Sequence, residues 1–199
     1  MAGAFPISSA KFGTLGIKSN QTTILSKSVS GKKLARQLDN QRWSFTVQII
    51  TAKRSDVYGD LMAFILKQRS GKENFTIVPP EIEDARGTAS GTPNGTANAG
   101  ATSITLGGSG TGTLKAGDFI KFANHSKVYM VVADQNDIST GSLTIEPPLT
   151  TAVSSSDIQY DNVPFTVHLT NDMQQFGVSG ADKDGNLYYE YQFDVEEAL

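Results

Sequence analysis

Two stretches of this chain carry residue types that handle ions. The run Gly107-Gly108-Ser109-Gly110-Thr111-Gly112-Thr113-Leu114-Lys115 joins closely spaced glycines to a lysine, as in loops that cradle phosphate through backbone N–H groups. That chemistry needs Gly-Lys-Ser/Thr in succession. Here Lys115 follows Gly112 only after Thr113 and Leu114, no G-x-G-x-x-G spacing occurs, and no strong strand leads in. The second stretch places Asp182, Asp184 and Asn186 at alternate positions, like the first half of a calcium loop. Such a loop needs Gly at its sixth place and Glu at its twelfth, which are Leu187 and Phe193 here. Asp184-Gly185-Asn186 reads instead as a hairpin turn.

The remaining chemistry is sparse. There is no cysteine, so disulfides, thiolate metal sites and cysteine nucleophiles are excluded together. His125 lies in a turn-like Asn-His-Ser-Lys, and His168 alternates with an apolar strand face, so it meets solvent or a neighbour. Neither has a sequence partner for metal binding or general-base work. No nucleophile elbow surrounds any serine. The expectation is a protein that is not an enzyme, with no cofactor and no metal. Tyr129 and Tyr188 could stack bases or sugars if exposed, but no basic groove accompanies them, and packing is the simpler use.

Composition sets the scale. At 199 residues the chain can build one medium domain or two small ones, and its net charge of −3 offers no basic surface for phosphates. Charged residues make up 19%, low for a globular enzyme, with the difference taken by Gly, Thr, Ser and Asn, which suit turns and short strands. No apolar run suggests a signal peptide or a membrane span. The expected site of assembly is therefore the cytoplasm.

The elements that must position these residues are mostly strands. Residues 1–20, spaced by Gly3, Gly13 and Gly16, read as an N-terminal arm that orders only on a neighbour, with a short strand over Thr14–Lys18. Thr22–Val29 and Lys33–Leu38 are strand material, and Asp39-Asn40-Gln41 is a turn. In Arg42–Thr51 the residues Trp43, Phe45, Val47 and Ile49 share one face, so this is a half-buried antiparallel strand. From Ser55, a predicted N-cap, Tyr58, Leu61, Met62, Ile65 and Leu66 recur at helical spacing, and Gly71 can end that helix. A strand at Phe75–Val78 stops at Pro79-Pro80, and an acidic turn follows at Glu81–Asp84.

The neutral tract from Gly87 to Gly112 reads in its first half as a flexible linker. Short strands follow at Thr102–Leu106, Asp118–Phe122, Lys127–Ala133 and Ser142–Ile145, which predicts a small OB-like barrel of five strands. Val163, Phe165, Val167 and Leu169 alternate again. Then Leu187, Tyr189, Tyr191, Phe193 and Val195 form the cleanest strand face, opposed by Tyr188, Glu190, Gln192, Asp194 and Glu196. These late strands have no partners of their own, so they should complete the sheet begun by residues 22–78. The predicted fold is mainly β. An antiparallel sandwich or tube-like body (21–86 and 160–199) carries one packed helix, and an inserted OB-like β-barrel occupies 87–159.

With that order in view, the chain resembles the distal tail protein of tailed bacteriophages, in the variant whose belt domain carries an OB-like insertion. RWSFTVQI and DVYGDLMAFILKQRSGKENFTIVPP resemble the belt's strand, helix and strand. Lys115-Ala116-Gly117-Asp118, followed by His125-x-Lys127-Val128-Tyr129, is the most specific match within the insert, and NVPFTVHLTND and NLYYEYQFDVEEAL resemble the returning strands. The resemblance implies a structural virion protein of the tail tip or baseplate, assembled as a homo-hexameric ring between the tail tube protein and the tail-tip hub protein. Receptor-binding or side-fibre proteins are further implied partners, and DNA passes through the ring without specific binding. A contractile-tail baseplate ring or tube initiator, or an OB-type module binding host saccharide or a receptor-binding protein, are the alternatives. Within this reading Glu190, Asp194 and Glu196 are candidate channel-facing carboxylates that repel passing DNA.

Overall fold

Strands from both sides of the central insert meet in one antiparallel sheet in the computed structural model, which describes residues 3–6, 11–38, 41–80 and 82–199. The chain runs β1 (Phe12–Asn20), β2 (Thr23–Lys27), β3 (Lys33–Gln37) and β4 (Arg42–Lys53) into a helix. That helix opens with a π-helical turn (Arg54–Tyr58), continues as α1 (Gly59–Lys67), and leads to β5 (Phe75–Ile77). The middle of the chain supplies β6 (Pro93–Ala97), β7 (Ser103–Gly108), β8 (Phe119–Phe122), β9 (Val128–Val131), β10 (Ser142–Glu146) and β11 (Val153–Gln159). The chain then returns as β12 (Phe165–Leu169), β13 (Gly177–Ala181) and β14 (Leu187–Glu197).

The main sheet has the order β1-β4-β14-β12-β5, with β13 paired to β14. Its period-two strands put Trp43, Phe45, Val47 and Ile49 of β4, Tyr191, Phe193 and Val195 of β14, and Phe165, Val167 and Leu169 of β12 on one buried face. Val57, Tyr58, Leu61 and Ile65 of the helix cover that face, while Leu66, expected in the stripe, is exposed. The predicted mainly β fold with one packed helix is the observed one.

Local geometry departs from expectation where packing overrides propensity. Ser55 is not the N-cap: the helical backbone begins at Arg54, and the Ser55 hydroxyl donates to Asp56 Oδ1 at 3.0 Å. At the other end Arg69 and Ser70 already have positive φ, and Gly71 is the third such residue, at +80°. A Cβ there would lie 2.2 Å from the Leu169 carbonyl oxygen, so only glycine lets this return pass β12.

In the β4–β14 ladder, Tyr189 faces Ala52 and Tyr191 faces Ile49, so Ile50 and Thr51 together stand opposite Glu190. This bulge shifts the inward face of β4 from odd to even positions. The buried Tyr58 hydroxyl reaches this bulge, donating to Ile50 O at 3.1 Å. Burial pushes the Tyr58 phenol up to about 12.

The arm expected over 1–20 is corrected for the residues described. β1 pairs with β4 of the same chain from Phe12 to Asn20, and Ala4 bridges Thr76 of β5 in parallel. Phe5 accounts for the second contact, because its ring meets Phe12, Phe64, Phe75 and Phe193 at centroid distances of 5.5–6.2 Å. Residues 1, 2 and 7–10 of that arm, Asp39 and Asn40 of the predicted turn, and Glu81 of the acidic turn lie outside the described residues.

The insert closes as a six-stranded antiparallel barrel in the order β10-β7-β6-β11-β8-β9. It has one strand more than the five expected and two more than the four placed from the sequence, and the linker reading of the neutral tract is corrected: β6 lies within it. Glycine is the reason such a sequence can be a barrel strand. A Cβ on Gly95 would sit 2.7 Å from Ile104 Cγ2 and 2.8 Å from Phe122 Cε1, so the backbone itself is packed against the barrel core. The tract before β6 is paired too, with Ser90 and Thr111 exchanging backbone hydrogen bonds at 2.9 and 2.8 Å.

Candidate functional site

Glu190, Asp194 and Glu196 stand on the sheet face opposite the helix. Registered rows cross this face: Lys18, Ser44, Glu196 and His168 form one, and Gly16, Thr46 and Asp194 another. Asp194 is anchored, accepting from Thr46 Oγ1 at 2.6 Å and from Asn171 Nδ2 at 3.5 Å. Glu196 lies 3.8 Å from the Arg42 guanidinium, and Glu190, opposite the bulge, is exposed. The three carboxylates thus share a face but differ in how firmly they are held. His168 lies in the same row, with its Nδ1 buried and unpartnered.

Between sheet and barrel the structure builds a joint. Phe119 of β8 and Val128 of β9 point out of the barrel into the core of the sheet. Phe119 meets Trp43 edge-on at 5.1 Å and Phe165 at 5.6 Å. At the centre of the joint Lys127 and Glu197 are 1% and 0% exposed and form an ion pair. Lys127 Nζ also donates to Gln41 Oε1 at 2.6 Å and to Gln41 O at 3.0 Å. The Glu197 carboxylate accepts from the backbone N–H of Val128 at 2.9 Å and of Trp43 at 3.2 Å, while the Trp43 indole donates to Val128 O at 2.9 Å. Burial pulls the Lys127 ammonium below the ordinary lysine value, against the raising influence of Glu197. Beside this joint opens a cleft of about 460 Å³ lined by Ser19, Gln41, Trp43, Met130 and Pro147.

The sequence motif in the insert has a structural role. In Lys115-Ala116-Gly117-Asp118 the buried Asp118 accepts from the Lys115 N–H at 2.7 Å and from the Arg86 N–H and Nε at 3.1 and 3.2 Å. The turn is closed further by Asp134, which accepts from the Ala116 N–H at 2.9 Å and pairs with Lys115 at 3.0 Å. The stretch before Lys115 is accordingly a strand-and-turn scaffold. His125 serves a second lock. Asn124 donates through Nδ2 to Ala152 O at 2.9 Å, so its Oδ1 is the acceptor 2.7 Å from His125 Nδ1. His125 Nε2 then faces the Tyr129 hydroxyl at 2.8 Å, which in turn lies 3.0 Å from Thr150 Oγ1.

Tyr129 is fully buried within the barrel, in keeping with the packing use expected for it rather than stacking on a ligand. Tyr188 is half-buried, with Lys53 Nζ 5.7 Å from its ring centroid. The Asp182–Asn186 segment is the β13–β14 hairpin turn. Asp182 accepts there from the Asp184 and Asn186 N–H groups, each at 2.9 Å. Among the described residues no group of His, Asp and Glu is arranged to hold a metal ion, and no helix is long and apolar enough to cross a membrane.

The described residues thus form a sheet built by strands on both sides of a closed barrel, fastened to it by a buried joint. Residues 84–163 match the family model described as distal tail protein pb9, B domain. This bears out the resemblance on the inserted barrel, and a distal tail protein domain marks a structural component of the phage tail tip, in a family that is not one of enzymes. No curated protein matches the chain.

Proposed function

We propose that this chain is the repeating subunit of a homo-hexameric ring in a phage tail tip, joining the tail tube to the tail-tip hub. The observation that carries the reading is the pb9 B-domain match on a barrel spliced into a sheet that both flanking segments build. Residues 21–86 and 160–199 are the ring-forming body in this reading, and 87–159 are carried on it.

A ring requires a subunit that offers different surfaces to its two neighbours. Outer edges are available for this at β1, most of whose residues are exposed, and at β13. The joint supports a fixed presentation of the barrel, since a buried ion pair and shared aromatic packing leave it one orientation. The face bearing Glu190, Asp194 and Glu196 is assigned to the channel wall, where carboxylates keep transiting DNA from adhering.

The test is the mass of the full-length chain by light scattering, with particle images by electron microscopy. A six-membered annulus is expected; a monomer at all concentrations overturns the reading.

A further inference from the structure

β2 and β3 form a two-stranded sheet of their own, closed by a turn in which Ser28 N–H donates to Lys32 O and Gly31 N–H to Ser28 O. Every residue of β2 is exposed, and so are the described side chains of β3. Such a pair of strands is marginal in water unless something packs on it.

Its sequence fits burial on both faces. The register puts Ile24 and Leu34 on one face and Leu25 with Ala35 on the other. Ile24, Leu25 and Leu34 are 53%, 60% and 53% exposed. An ordinary surface hairpin keeps one face polar; this one has apolar side chains on each.

Its charge is equally one-sided. Residues 21–38 hold Lys27, Lys32, Lys33 and Arg36 and no acid. Setting that +4 aside from the net −3 leaves a formal −7 on the rest of the chain. A second copy of this chain therefore offers a surface of opposite sign, and charge complementarity both favours and orients such a contact. Nucleic acid also attracts cations, but the segment has no Phe, Tyr or Trp on which a base could stack, and its apolar residues are aliphatic.

We infer that the β2–β3 hairpin is an inter-subunit clamp: it inserts between surfaces of an adjacent copy, burying Ile24, Leu25 and Leu34 while its four cations face that copy's acidic surface. The inference rests on the ring reading above and identifies the element that closes the contact. A hairpin reaching a different surface on its neighbour makes a head-to-tail contact, the kind that generates closed rings.

The experiment compares the full-length wild type with Leu25→Glu/Leu34→Glu and with Lys32→Glu/Lys33→Glu/Arg36→Glu. Fluorescence of the buried Trp43 reports in each case that the core is folded. The expected result is a ring for the wild type and a sixfold lower mass for both variants, with the Trp43 signal unchanged. A wild-type ring whose variants stay assembled overturns the clamp and leaves the ring reading standing; a wild type that is monomeric overturns the ring reading first. Variants that assemble normally but lose binding to a DNA duplex that the wild type retains also overturn the clamp, reassigning the hairpin to nucleic acid.

Discussion

Lys127 and Glu197, seventy positions apart, meet in a fully buried ion pair that fastens the barrel to the far end of the main sheet. The pair is completed by Gln41 and by the N–H groups of Trp43 and Val128, so three separate segments converge on one charge couple.

Removing one member leaves the other buried and uncompensated, which costs about 3–5 kcal/mol. Lys127→Met and Glu197→Leu should each lower unfolding stability by that order in urea titrations. The double variant should recover much of the loss, because an apolar couple strands no charge. A double variant no better than the worse single one would show that the backbone contacts of Glu197, rather than the charge couple, hold the joint.

Acid should loosen the barrel through His125. Burial, and secondarily Lys121, holds its pKa below the ordinary 6.5. The folded state therefore binds fewer protons than the unfolded chain just below that value. Stability is full above pH 6.5 and declines as pH falls from there through the lower folded pKa. Protonation would also turn Nε2 into a donor toward the Tyr129 hydroxyl, disturbing its bond with Thr150. His125→Gln should flatten this dependence, measured as the thermal midpoint from pH 7.5 to about 5.

Gly95→Ala should destabilise the barrel by about 1–3 kcal/mol, the usual cost of overpacking a filled core. Gly180→Ala is the control: its added Cβ meets nothing within 4 Å, and a change under about 0.5 kcal/mol is expected. Equal effects at the two sites, read by chemical denaturation, would contradict the close packing of β6.

If Glu190, Asp194 and Glu196 line a DNA passage, changing all three to lysine converts a repelling wall into an attracting one. DNA release from particles carrying the triple variant should slow, most strongly at low salt, with ring mass unaltered. An unaltered release rate would remove these residues from the channel.

Much of the sheet was legible because residues 43–49, 165–169 and 191–195 alternate large apolar and polar residues, and period two leaves little choice of buried face. β6 and β11 were not. Their inward positions include Pro93, Gly95 and Ser156, too small or too polar to register as a hydrophobic face, and Gly95 is small because the core leaves no room. The joint left one faint sign. Glu197 continues the phase of Tyr191, Phe193 and Val195, so a charge fell in step with the buried side, and Lys127 opens an otherwise apolar run. Reading either as an ordinary solvated charge hides the contact, because its partner is remote in sequence. The acidic trio was legible as a shared face, but the differing anchorage of Asp194 and Glu196 depends on Thr46 and Arg42 across the ladder, which a single strand cannot reveal.

β14 lies between β4 and β12 yet follows the barrel along the chain, and this order governs how the polypeptide can mature. On the ribosome the barrel's strands emerge as one contiguous stretch and can fold as a unit, while β4 and the helix wait with an apolar flank uncovered. Nascent chains stalled before β14 should therefore display a protected barrel beside a protease-sensitive amino-terminal region, and chaperone demand should peak in that interval.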